Sequence, residues 1–85
     1  MKVVEEMKKI DMINIMLDND YPEAWGRLPA WRRRKNTKEE QREYLVNDLQ
    51  YHTLKTTIYE MFNDYLYWKI ENNEKIFFKK MLKNA

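Results

Sequence analysis

The sequence contains no cysteine, one glycine, two prolines and one histidine in 85 residues. Each shortage removes a class of structure. Without cysteine there is no disulfide and no thiolate metal site, a composition that suits a reducing compartment. One histidine leaves too few donors for an ordinary zinc site. Pro22, Gly26 and Pro29 fall within eight residues of one another, and neither type occurs elsewhere. The turns of a many-stranded β fold cannot be built from that supply. No apolar run approaches the roughly 20 residues that cross a bilayer. Lys2 is followed by Val3-Val4-Glu5-Glu6, not by the apolar stretch of a secretory leader. A soluble protein of the cytoplasm is expected.

What is present is apolar and charged in globular proportion, 44% hydrophobic and 35% charged. The length allows one domain. A core of this size buries only about 60–65% of the unfolded chain's surface, so self-association is the expected source of further stability. The net charge of +2 conceals an alternation. Residues 1–23 carry −3, 24–43 carry +4, 44–72 carry −2 and 73–85 carry +3.

Apolar spacing predicts an all-α protein, a small helical domain with one long central helix that pairs with a second copy. Val3, Met7, Ile10, Ile13 and Leu17 mark one face of a helix over about 2–17. Asp18-Asn19-Asp20-Tyr21-Pro22 ends it. A connector follows over about 18–36, in which Pro22 can open a short helical turn and Gly26 permits a positive φ. Trp25, Leu28 and Trp31 are too apolar for a wholly solvated loop, so at least one tryptophan should pack inward. Thr37-Lys38-Glu39-Glu40 has the form of a capping box. With no glycine or proline beyond it, a helix can run over about 38–70. Thr53, Thr56 and Thr57 are weak helix formers, so a kink near His52–Thr57 stays open. Leu54, Ile58, Met61, Tyr65 and Trp68 repeat at four and three, the spacing of a dimer or core seam. The segment also carries Tyr44, Tyr51, Tyr59, Phe62 and Tyr67, and a helix apolar over so wide an arc is expected to be buried on two sides. Asn72 can end this helix and Asn73 can cap a short last one over about 74–83.

No catalytic motif is found, and a non-enzymatic role is expected. His52 has no nucleophile at a suggestive spacing and belongs in or beside the core. Asp48, Glu60 and Asp64 read as solvated surface. The last segment, with Phe77, Phe78, Met81 and Leu82 among lysines, reads as core rather than as a membrane-surface helix. Neither cofactor nor metal is implied.

The one constellation with chemistry is Trp31-Arg32-Arg33-Arg34-Lys35. From Ala24 to Lys38 there are six basic residues and no acidic one. Arg27, Arg32, Arg33, Arg34, Lys35, Lys38 and Arg42 can follow a phosphate backbone. Trp31 and Trp25 can stack on unpaired bases, which suits RNA better than duplex DNA. The cluster lies where a helix begins, and free N–H groups there favour anions. The alternatives are a contact to an acidic protein surface and a solvated charge run.

In texture and size, the Lys/Glu/Asn/Tyr-rich, cysteine-free stretches Met1–Asp20 and Tyr44–Ala85 resemble the small accessory proteins of T-even-type phages. The functional type it resembles among them is the TifA-like antagonist of ToxN-type ribonuclease toxins. That resemblance implies a small RNA-binding protein that also contacts a host nuclease in the host cytoplasm, with Trp31–Lys35 as the natural RNA site. The expected function is therefore an RNA-binding protein that sequesters or blocks a host factor. A protein-only inhibitor or adaptor, docking its basic loop on an acidic partner, is the alternative.

Overall fold

The structure is a computed structural model that describes the backbone of residues 7–83 and the side chains of residues 7–73. The described residues are helical, in five segments without a strand: α1 (Lys9–Asp18), α2 (Pro22–Trp25), α3 (Ala30–Lys35), α4 (Lys38–Tyr51) and α5 (Lys55–Lys83). The first six residues of the expected opening helix lie outside the described residues.

Helix α1 is the hub. Met12, Ile13, Met16 and Leu17 are buried on it, and it packs against both α4 and α5. Leu45 and Leu49 close the core from α4, while Ile58, Met61, Phe62 and Tyr65 close it from α5. Apolar burial at the ordinary rate of about 25 cal/mol per Å2 is the main favourable term here, since no polar or charged residue is buried among the described residues.

The end of α1 shows how the sequence stops a helix without glycine. Tyr21 donates its N–H to Met16 O at 3.0 Å, and Asp20 donates to Leu17 O at 3.2 Å. This is a Schellman closure. Its left-handed position is Asp20, at φ 54°, a conformation that the short polar aspartate tolerates better than most residues. Gly26, which permits a positive φ, does not use one: its φ is −64°. What favours glycine there is space: a Cβ would sit 3.0 Å from Pro22 O, a tight contact that the backbone would have to relieve. Pro22 opens α2 as its first residue, as the sequence indicates.

The helix expected over about 38–70 is divided. Helix α4 ends at Tyr51, and α5 starts at Lys55 after a break at 52–54. The reason is tertiary. A straight helix through both segments could meet α1 along only one line, whereas the break lets α4 and α5 close on it together. Lys9 holds the corner. Its Nζ donates to Gln50 O at 2.6 Å and also to Thr53 O, so an ammonium neutralises the carbonyl end of α4. Leu54 accepts the first helical N–H of α5, from Ile58, and its own side chain is 74% exposed. It therefore leaves the seam predicted for it, while Ile58, Met61 and Tyr65 are in the core and Trp68 packs beside it. That seam faces α1 within the chain. His52 is exposed as the C-cap of α4, not set in the core.

The separate helix expected over about 74–83 is the continuation of α5. Asn72 does not end a helix: it lies within α5, with its Nδ2 donating to Trp68 O at 2.8 Å, four residues back. An asparagine costs a helix only about 0.7 kcal/mol, too little to stop one without glycine or proline.

Candidate nucleic-acid interface

The basic run forms a helix of its own. Pro29 precedes α3 in an extended conformation, and Ala30 to Lys35 complete under two turns. The cluster thus lies at the carbonyl end of α3, not at the N–H end of α4 as expected. Four cations in a last turn are favourable to the helix dipole by themselves. No residue of α3 is buried, so polar contacts hold it. Gln41 Nε2 donates to Arg33 O at 3.3 Å and Asn36 O at 3.1 Å. The capping box of α4 follows directly: Glu40 N–H donates to Thr37 Oγ1 at 3.2 Å, and Thr37 N–H donates to Glu40 Oε1 at 3.1 Å. These bonds, the backbone one first, hold the Glu40 carboxyl below its ordinary value.

The expected cations separate into two groups. Arg27 donates to Asp48 at 3.0 Å, and Arg42 to Asp18 at 2.6 Å and Asn14 at 3.2 Å. Both are engaged in joining elements that are distant in sequence. Lys38 stands 3.8 Å from Asp20, with both side chains well exposed, and lies 3.9 Å over the Trp25 ring. Arg32 lies 4.5 Å from the Trp31 ring centre and 4.2 Å from that of Tyr44. Its Nε is buried without a hydrogen-bond partner. Its charge is directed at aromatic faces, an arrangement worth about 0.5–2 kcal/mol. Among the described residues the Arg33 side chain reaches only the Trp25 carbonyl, at 3.3 Å. Arg34 and Lys35 are exposed and have no polar partner among the described residues.

The tryptophans divide in the same way. Trp25 is half-buried, and its Nε1 donates to Leu17 O at 3.1 Å, so it is the tryptophan of the connector that packs inward. Trp31 is 57% exposed beside the free cations. No family model, curated protein or solved structure matches this chain. The site therefore rests on its own geometry.

Two shallow grooves adjoin the interface. One, of about 280 Å3, is lined by Arg32, Asn36, Glu40, Glu43, Tyr44 and Asn47. The other, of about 430 Å3, lies between α1 and α4 and also carries Glu39 and Glu43. Both present carboxylates that repel phosphate, so the favourable face of α3 is the one away from α4. Arg34, two residues from Arg32, points there, about 200° around the helix. Among the described residues no three metal-ligating side chains converge and no helix is long and apolar enough to cross a membrane. Sequence reasoning missed Lys9, Asp18, Asp48 and Tyr44. Their partners lie 12 to 44 residues away, beyond any local periodicity.

Proposed function

We propose that the protein binds single-stranded RNA without catalysis, through Arg33, Arg34 and Lys35, with Trp31 stacking on an unpaired base. The observation that carries this reading is the division of the cations. Those nearest α1 and α4 are used within the fold, whereas three consecutive ones remain exposed beside an exposed tryptophan. Arg32 has the role of supporting Trp31, and Arg27, Lys38 and Arg42 support the surrounding fold. By resemblance to phage antagonists of ribonuclease toxins, the protein acts in the host cytoplasm by sequestering or blocking such a host factor.

The test is anisotropy of a labelled single-stranded RNA at low salt. Replacing Arg33, Arg34 and Lys35 with alanine should weaken binding at least tenfold, and Trp31→Ala should weaken it several-fold. Absence of binding at low salt, or binding indifferent to the triple substitution, overturns the reading. A second reading is a protein-only inhibitor. It is favoured by the exposed Trp31 beside arginines, the residue types that dominate protein hot spots. It requires a complex with a host protein that survives nuclease treatment. Pairing of two copies also belongs to the proposal, but the predicted seam is occupied by α1, so another face must serve.

A further inference from the structure

We propose that the outer face of α5 around Tyr67 and Ile70 is the seam of an antiparallel homodimer. The inference does not rest on RNA binding and uses no residue of α3.

The face is apolar where a helix surface is ordinarily polar. Tyr67 is 70% exposed and Ile70 55%. With half-buried Leu66 and exposed Asn63 they line a groove of about 470 Å3. Positions 63, 66, 67 and 70 recur at three and four, so they form one stripe. The opposite stripe, Ile58, Met61, Phe62 and Tyr65, is already committed to the core. The helix is thus apolar on two sides, and the described residues cover only one of them.

Charge identifies both the occupant and its direction. Within α5, residues 55–72 hold Glu60, Asp64 and Glu71 against Lys55 and Lys69, whereas residues 73–83 hold Lys75, Lys79, Lys80 and Lys83 against Glu74 alone. A nucleic acid would be repelled by the acidic half that flanks the groove. A second α5 laid antiparallel brings each acidic half level with a basic half. With the two-fold axis close to Ile70, Asp64 comes level with Lys75 of the other copy. A parallel pair would set like charges side by side, which is unfavourable.

The absence of native cysteine supplies a direct test. Near a two-fold axis, helices about 8–10 Å apart bring equivalent Cα atoms within the roughly 7 Å that a disulfide spans. Ile70→Cys should therefore link two full-length chains under mild oxidation. Asn63→Cys lies seven residues away, which separates its two copies by about 21 Å, and it should not link to itself. Light scattering should give a dimer mass for the native protein at about 100 μM. Changing Tyr67 and Ile70 together to serine should weaken the dimer more than tenfold with circular dichroism unchanged, because both side chains are exposed. Asp64→Lys should weaken it several-fold, and adding Lys75→Asp should restore it. A monomer mass for the native protein, failure of Ile70→Cys to link, or equal linking by Asn63→Cys overturns the proposal.

Discussion

At the residue scale, the sharpest local cost is at Asp20. A left-handed residue other than glycine costs roughly 1–2 kcal/mol, and Asp20 recovers little of it through its exposed pair with Lys38. Asp20→Gly should raise unfolding free energy by about 1 kcal/mol in urea, and Asp20→Ala should lower it. Tyr21 next to it is buried, packs its ring tilted against Tyr65 and Trp68 with centres 5.6 Å and 5.3 Å away, and donates to Glu23 at 2.6 Å. Burial, then the Glu23 hydrogen bond and the charges of Glu23 and Asp64, push its hydroxyl well above the usual phenol value. Burial raises Tyr65 too. Both folded values exceed the unfolded ones, so their contribution is fully present below about pH 10 and is lost as pH rises through the folded values. Urea midpoints should fall as pH rises above about 10, and Tyr21→Phe should flatten that decline. Glu40 acts in the opposite direction. Its lowered carboxyl contributes above the unfolded value of about 4.3 and ceases to do so as acid titrates the folded group, so Glu40→Gln should flatten the acid limb.

At the element scale, two contacts define where α4 begins and ends. The Thr37 capping box starts it, and Thr37→Ala should cost about 1 kcal/mol. The Lys9 ammonium finishes it, and Lys9→Met should cost about 1.5–3 kcal/mol, the range of hydrogen bonds to charged groups. Chemical denaturation measures both. The first was legible in the sequence because a capping box lies within four residues. The second was not, since Lys9 and Thr53 are 44 residues apart. The threonines near 53–57 marked the corner as a weak place for a helix, but the break itself follows from α1 packing against two helices at once.

At the scale of the molecule, stability is small and concentrated. A chain of this length is expected to hold about 4–13 kcal/mol. Ile13, fully buried on the hub helix, should cost about 2–5 kcal/mol as alanine, a large part of the total and visible in the melting temperature. The division of the cations makes a quantitative statement about RNA. Three contacts give a slope of about −2 for log affinity against log salt on a single strand, whereas all seven basic residues first considered would give about −5. Arg42→Met should reduce stability by under about 1 kcal/mol, since its pair with Asp18 is partly exposed, and should leave that slope unchanged.

The sequence by itself determined the helical class, the stop after Asp18, the turn at Pro22, the capping box at Thr37 and the basic run. Each depends on residues within a few positions of one another or on a composition poor in turn formers. Tertiary structure alone decided the rest. It placed α1 at the centre, split α4 from α5, turned Ile58, Met61 and Tyr65 onto α1, and left Leu54, Tyr67 and Ile70 in solvent. It also chose which cations stay free, because a surface arginine is engaged or available according to whether a carboxylate from another helix, such as Asp18 or Asp48, is folded within reach of it.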